Sequence, residues 1–132
     1  MNILDEQVIE SQRQLLRSWR IPIRQIGQNI GRKGMKDQEI IPFLLQLHHS
    51  TFFTLDNDFF DRELCHRNYA IVFMDVKKSE AATFIRRIIR HPEFNTVTKR
   101  LGKVFCLSHT NIAFWALNVQ EKRYLGWIEK LN

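Results

Sequence analysis

Residues 51–58 read Thr-Phe-Phe-Thr-Leu-Asp-Asn-Asp, and this stretch decides the fold. Its first five residues form an uninterrupted β-prone run, which is typical of a strand that is buried on both faces. A second run of this kind, Tyr69–Met74, follows and is closed by Asp75. Strands buried on both faces belong to parallel sheets that are covered by helices, so the chain is predicted to be an α/β protein.

The rest of the chain alternates between helical and strand patterns. Apolar residues recur at helical spacing over about residues 6–19, 40–47 and 79–91. Strands are also predicted at 2–4, 21–26, 103–108 and 111–117, and helices at about 58–65 and 119–130. Pro22 assigns the 21–26 strand to a sheet edge. This pattern predicts a three-layer α/β/α sandwich with a mostly parallel central sheet, formed by residues 1–132 as one domain.

Composition excludes several classes of protein. The chain has 132 residues, of which 44% are hydrophobic, and this composition is globular rather than disordered. No apolar stretch approaches the ~18 residues that span a bilayer, and no secretory signal is recognisable. Cys65 and Cys106 match no metal-ligand spacing and are expected to be reduced thiols. We therefore expect a cytoplasmic protein without a membrane segment.

Four aspartates occupy the positions where parallel sheets carry their functional groups. Asp5 follows the first predicted strand, Asp56 and Asp58 follow the third, and Asp37 stands at the start of a predicted helix. Such groups gather past the carboxyl ends of strands, near the point where the strand order reverses. If the first and third strands are neighbours, the four carboxylates converge.

Converging carboxylates favour a bound divalent cation. Two unit charges that lie 4 Å apart repel by about 4 kcal/mol at an effective dielectric near 20. Mg²⁺ or Mn²⁺ would remove this repulsion, and both ions prefer oxygen ligands. The alternative is that Asp5, Asp37 and Asp58 each cap a helix independently, which leaves no shared site.

At these residues the chain resembles the PIN-domain superfamily, most closely its small bacterial PIN-like branch. The opening motif of that branch, Asp-Glu-Asn, stands here as Asp5-Glu6-Gln7, with Gln in place of Asn. The middle motif, Asp-x-Glu-Ile, is found at residues 37–40, and the third, Thr-x-Asp-x-Asp-Phe, at residues 54–59. The resemblance covers about residues 2–76 and is most specific at the third motif.

The resemblance implies a PIN-like fold and a metal-dependent endoribonuclease that cleaves single-stranded RNA. It implies that Mg²⁺ or Mn²⁺ is bound by four catalytic acids, Asp5, Asp37, Asp56 and Asp58. Members of this branch often lie beside toxin–antitoxin genes, so the toxin of such a pair, with a cognate antitoxin as partner, is one expectation. A second copy of the chain, forming a homodimer, is another possible partner. Glu6 and Glu39 are expected to support the site rather than to bind metal.

Two groups of basic residues are predicted to contact the RNA backbone. Arg32, Lys33 and Lys36 lie in a glycine-rich loop just before Asp37. The second group, Arg86, Arg87 and Arg90, lies on the predicted helix 79–91 and could extend the same track. The net charge of +6 agrees with a polyanionic partner, and phosphate contacts of this kind are largely indifferent to sequence.

The sequence leaves two other functions open. The run that ends in Asp56-Asn57-Asp58 also resembles the strand and Asp-x-Asp motif of haloacid-dehalogenase phosphotransferases, in which the first Asp is a nucleophile. That motif normally follows the first strand, however, and here a strand and a helix precede it. A catalytically weak or inactive PIN-like binding module is the other alternative, which the departure at Gln7 motivates.

Overall fold

Seven strands, four α-helices and three 3-10 turns make up residues 1–127, the part of the chain that the computed structural model describes. The strands are β1 (Asn2–Leu4), β2 (Arg24–Gln25), β3 (Ser50–Thr54), β4 (Tyr69–Met74), β5 (Lys103–Leu107), β6 (Asn111–Ala116) and β7 (Arg123–Gly126). The helices are α1 (Glu10–Ser18), α2 (Asp37–Gln46), α3 (Ala81–Arg90) and α4 (Val97–Arg100). The α/β class predicted from the sequence is confirmed.

All seven strands join one sheet in the order β2-β1-β3-β4-β5-β6-β7. The pairings from β2 to β5 are parallel, whereas β6 and β7 are added antiparallel. The sheet is therefore mostly parallel, as predicted. Strand β2 lies at one edge, which confirms the placement indicated by Pro22. The first and third strands are neighbours, with Leu4 opposite Phe53.

Alternate strand residues pack into two separate cores, one on each face of the sheet. Leu4 and Phe53 contribute to the core that contains residues of α1 and α3, and we call this side the α1/α3 face. Ile3 and Phe52 contribute to the core that contains Ile40 and Leu44 of α2, and we call this side the α2 face. Successive strand residues point to opposite faces, so strands without polar alternation require helices on both sides.

The helix predicted at 58–65 is wrong. Two 3-10 turns, Asn57–Phe59 and Arg62–Leu64, occupy this segment instead. The carboxylate of Asp56 accepts the N–H of Asp58 at 2.9 Å, and that of Asp61 accepts the N–H of Glu63 at 2.8 Å. Such local side-chain bonds compete with regular helix, because they satisfy backbone donors in a turn geometry.

The helix predicted at 119–130 is also wrong in the described residues. Residues Arg123–Gly126 form β7, which pairs antiparallel with β6, and residues 128–130 lie outside the described part of the chain. Leu125 and Trp127 both pack against the α1/α3-face core. Their spacing is the two-residue period of a strand, and pairing with β6 decides between strand and helix here.

The other helices differ from the predictions at their ends. Helix α1 starts at Glu10 rather than near residue 6, because the chain first forms a turn in which Val8 N–H bonds to the carbonyl of Asp5. Helix α4 was not predicted from the sequence. In the described residues, no helix has the length and apolar character that crossing a bilayer requires.

Candidate metal centre

The strand order reverses between β1 and β3, and the candidate site lies at this reversal. The chain leaves β1 for β2 on one side and then returns past β1 to form β3 on the other. The helices of these two connections, α1 and α2, pack on opposite faces of the sheet. A crevice is therefore expected outside the carboxyl ends of β1 and β3, where open α/β sheets bind ligands.

Three of the four predicted acids come together at this end of the sheet. One carboxylate oxygen from each of Asp37, Asp56 and Asp58 lies within 4.8 Å of the others, and we call these residues the acidic triad. Asp56 follows β3, Asp58 lies in the first 3-10 turn, and Asp37 is the first residue of α2. Within residues 1–127, the salt bridges involve none of these carboxylates. Their mutual repulsion is therefore not relieved by a basic partner.

Asp5 lies beside the triad but is not one of its three members. Its side chain is 7% exposed, and Oδ2 accepts a hydrogen bond from the Thr54 hydroxyl at 2.6 Å. The same hydroxyl oxygen accepts the N–H of Asp56 at 3.0 Å. Thr54 therefore couples the buried carboxylate of Asp5 to the first residue after β3.

The pKa values of two of these acids are raised. Burial raises the pKa of Asp5, an effect that the hydrogen bond from Thr54 opposes. Desolvation raises the pKa of Asp37, and the nearby charges of Asp56 and Asp58 raise it further. Both shifts disfavour the charged form, so both would be reversed by a cation among the carboxylates.

None of the four aspartates is the N-cap of an α-helix. The N-cap of α1 is Ile9, and that of α2 is Lys36. Asp37 instead lies in the first turn of α2. Asp56 does cap a 3-10 turn through its side chain. Independent helix capping therefore does not account for the set.

Glu6 and Glu39 organise the glycine-rich loop that precedes α2. Oε1 of Glu6 accepts the N–H of Gly34 at 2.8 Å, which ties this loop to the turn after β1. Oε1 of Glu39 accepts the N–H of Lys36 at 3.1 Å, and its other oxygen forms a salt bridge with Arg32. Both carboxylates thus hold donors of the loop that leads into Asp37.

Gln25 is a residue of this site that sequence reasoning missed. Its side chain is 3% exposed, and Nε2 donates to the carbonyls of Asp5 at 3.0 Å and Val8 at 2.7 Å. It therefore holds the β1–α1 turn that carries Asp5. The only available signal was a polar residue among the apolar ones of a predicted strand, and its buried partners were not visible from the sequence.

Replacing Gln25 by Leu is expected to lower the free energy of unfolding by about 1–3 kcal/mol, because the buried carbonyl of Val8 loses its donor and that of Asp5 keeps only the N–H of Val8. Denaturant unfolding monitored by circular dichroism measures this change. Gln28→Leu, at an exposed position of the following turn, is the matched control and is expected to stay within about 0.5 kcal/mol of the parent protein. Equal stabilities of the two variants would contradict the role of Gln25.

The basic residues of the glycine-rich loop are close to the triad in the chain and are exposed. Arg32 is engaged by Glu39, whereas Lys33 and Lys36 extend from the loop that leads directly into Asp37. Gly34 in this loop has a φ of +76°, a backbone conformation that glycine adopts without strain. All three basic side chains therefore belong to the exposed segment that leads into Asp37.

The predicted basic group on α3 lies elsewhere. The guanidinium of Arg86 lies 3.6 Å from the ring centre of Trp19, and that of Arg87 lies 4.1 Å from that of Trp127. Both arginines therefore pack on aromatic rings of the α1/α3 face. Arg90 is the last residue of α3, which runs from the carboxyl end of β4 back towards the amino end of β5. Arg90 thus lies towards the amino ends of the parallel strands, whereas the acidic triad lies at their carboxyl ends.

The residues of the triad fit a small divalent cation. Their ligands are all carboxylate oxygens, which Mg²⁺ and Mn²⁺ prefer, and three ligands leave room for water or substrate oxygens. Comparisons with protein-family models, with curated proteins and with solved structures find no match to this chain. Fold and site therefore define the protein as an α/β protein with a candidate metal centre at the strand-order switch.

Millimolar Mn²⁺ is expected to raise the melting temperature of the protein, because an ion that binds only the native state stabilises it by about 2.7 kcal/mol at 100 times its Kd. The raised pKa of Asp37 means that protons compete at a higher pH than for an ordinary aspartate, so the increase should fade as the pH falls. Differential scanning fluorimetry with and without EDTA measures it. Asp37→Asn should abolish most of the increase; an unchanged response would exclude this site.

Proposed function

We propose that this protein is a PIN-like, metal-dependent endoribonuclease that cleaves single-stranded RNA in the cytoplasm. The observation that carries the proposal is the acidic triad, whose three carboxylates meet within 4.8 Å at the strand-order switch. The motif resemblance at residues 5–7, 37–40 and 54–59 supports the same activity. These three motifs lie in separate parts of the chain. The fold brings the acids of the second motif and of the third motif close together.

The chemistry of the site suits a phosphodiester. A divalent ion held among these carboxylates would activate water as the nucleophile and would neutralise charge that develops on the phosphate. Asp37, Asp56 and Asp58 would hold this ion, and Asp5 would support them through Thr54. A site made only of acids repels a polyanion until the ion is bound, so binding of metal and of RNA should be coupled.

The basic loop supplies the attraction that the acids lack. Lys33 and Lys36 are exposed and lie within four residues of Asp37. Ammonium groups at these positions would contact phosphates on either side of the reacting one, and would make binding dependent on salt rather than on base sequence. Glu6 and Glu39 would keep the loop in place for this contact.

The experiment that tests the proposal is incubation of the purified protein with a single-stranded RNA oligonucleotide and Mn²⁺ or Mg²⁺. We expect internal cleavage that EDTA abolishes and that a perfect RNA duplex resists. RNA binding without cleavage at any metal concentration would indicate an inactive PIN-like binding module. A phosphoryl group trapped covalently on Asp56 would indicate a phosphotransferase instead.

The proposal extends to a role as the toxin of a toxin–antitoxin pair. A cognate antitoxin would restrain the activity by covering the acidic triad or the basic loop. Expression of the protein alone is then expected to arrest growth, and co-expression with the antitoxin to restore it.

A further inference from the structure

Three aromatic rings surround one lysine at the antiparallel end of the sheet. Nζ of Lys122 lies 5.5, 5.6 and 5.7 Å from the ring centres of Phe60, Trp115 and Tyr124. The guanidinium of Arg62 lies 5.7 Å from the ring centre of Trp115. We call these five residues the aromatic surface. It contains two cations and three rings, and neither the acidic triad nor the basic loop includes any of them.

The strand register places the aromatic surface on the α2 face. Trp115 of β6 lies opposite Val104 of β5, which belongs to the α2-face core. Tyr124 of β7 lies opposite Ala113, which is two residues before Trp115 and therefore on the same face. Tyr124 is 58% exposed, more than any other large hydrophobic side chain of residues 1–127. The surface can therefore accept a further ring.

One row of the sheet gives the distance between the acidic triad and the aromatic surface. Thr54 lies opposite Phe73 in the register of β3 and β4. The same row continues through β5, β6 and β7 as Cys106, Ala113 and Tyr124. Four strand spacings of about 4.8 Å separate Thr54 from Tyr124, which gives a distance of about 19 Å. An extended single strand of a few nucleotides covers this distance.

Phe60 connects the two regions. It lies two residues after Asp58 in the chain, and its ring stacks on that of Phe73 with 6.4 Å between centres and an angle of 29°. Its other neighbour is Lys122. The chain segment that carries two of the three triad carboxylates therefore also carries the first ring of the aromatic surface.

A cleft of about 450 Å³ extends the surface beyond Arg62. It is lined by Arg62, Glu63, Cys65 and residues 116–120. Arg62 itself is directed to this side, since one of its nitrogens donates to the carbonyl of Gln120 at 3.5 Å. The cleft offers space for a base or a phosphate beside Arg62.

We propose that the aromatic surface binds the unpaired bases of single-stranded RNA whose scissile phosphate lies at the acidic triad. This inference rests on the proposed function and extends it from the reaction to the choice of strand. Ring faces stack on any base and cations contact the phosphates between them, which is the chemistry of binding without sequence preference. A duplex hides the faces of its bases in its own stack, so the surface selects single strands.

The test is binding of a fluorescein-labelled 12-nucleotide oligouridine RNA, followed by fluorescence anisotropy in Mn²⁺. Every protein compared, the parent included, carries Asp56→Asn, so that cleavage is slow while the charge of the acidic triad is reduced. Tyr124→Leu removes the exposed ring and is expected to weaken binding about 5-fold or more, because stacking on one ring contributes that much per base. The matched control Tyr124→Phe keeps the ring and is expected to bind within about twofold of the parent protein. Melting temperatures of both variants establish that they are folded.

Lys122→Gln tests the second component of the surface. Loss of one phosphate contact should weaken RNA binding and reduce the slope of log K against log salt concentration by about one. Tyr124→Leu should weaken binding by the same factor at every salt concentration and leave this slope unchanged. A duplex of the same length is expected to be insensitive to Tyr124→Leu.

The outcomes separate this inference from the proposed enzyme activity. If Tyr124→Leu binds the single strand as tightly as Tyr124→Phe, or the parent protein binds no single strand, the inference is overturned whatever the cleavage assay shows. RNA binding could instead depend on the ring of Tyr124 while no metal supports cleavage. In that case the aromatic surface is a binding site, and only the ribonuclease proposal is refuted.

Discussion

Replacing Asp56 by Asn is expected to reduce Mn²⁺-dependent cleavage of single-stranded RNA by at least about 100-fold, equivalent to about 2.7 kcal/mol of transition-state stabilisation. The variant removes one of the three charges that meet within 4.8 Å, and with it a ligand of the proposed ion. The fold should survive, because an asparagine oxygen can still accept the N–H of Asp58 and cap the 3-10 turn. Initial rates of RNA cleavage at saturating Mn²⁺ measure the loss.

Asp61→Asn is the matched control for this variant. Asp61 caps the second 3-10 turn in the same way, through the N–H of Glu63, and it is not part of the triad. The two substitutions therefore remove the same charge from the same kind of turn, five residues apart. We expect Asp61→Asn to retain nearly all activity and Mn²⁺ response. Equal activity of Asp56→Asn and the parent protein would rule out the ribonuclease proposal.

The second large effect is on stability. Phe52→Ala is expected to lower the free energy of unfolding by about 3–5 kcal/mol, through lost burial and the cavity that remains. Phe52 is fully buried in the α2-face core, where its ring meets that of Phe59 edge to face with 5.2 Å between centres. A domain of this size is stable by about 5–15 kcal/mol, so the loss is a large part of the total. Denaturant unfolding monitored by circular dichroism measures it.

Phe52→Ala should also weaken metal binding, because Phe59 directly follows Asp58 and anchors the 3-10 turn of the triad. Phe52→Leu keeps most of the buried volume and is expected to cost roughly 1–2 kcal/mol. A cost below about 1 kcal/mol for the alanine variant would show that the strand is not held as the structure has it.

The pattern of apolar residues predicted most of the fold, because buried segments of the chain are recognisable from their own residues. Strands β3 and β4 are buried at every position, and their runs of apolar residues were recognised as strands. The pattern failed where local and distant interactions compete. Asp56 and Asp61 turned a predicted helix into two 3-10 turns, and pairing with β6 made a strand of residues 123–126.

The candidate site was predictable in part for the same reason. Asp56 and Asp58 lie in one turn, so their proximity follows from the chain itself. The proximity of Asp37 to Asp56 and Asp58 depends on where α2 packs on the sheet. The sequence is compatible with this position but does not determine it. The inward side chain of Gln25 and the burial of Asp5 arise from packing between elements far apart in the chain, and no local pattern reports such contacts.

The sequence alone determined which segments are buried on both faces and which acids follow them, since both properties depend on neighbours in the chain. Tertiary structure alone decided the strand order β2-β1-β3, which brings Asp37 to Asp56 and leaves Asp5 bonded to Thr54 beneath them. It also decided that the rings of Phe60, Trp115 and Tyr124 meet at Lys122. The physical reason is that strand order and cross-strand register follow from the packing of the whole sheet, whereas hydrophobic pattern and turn chemistry act over a few residues.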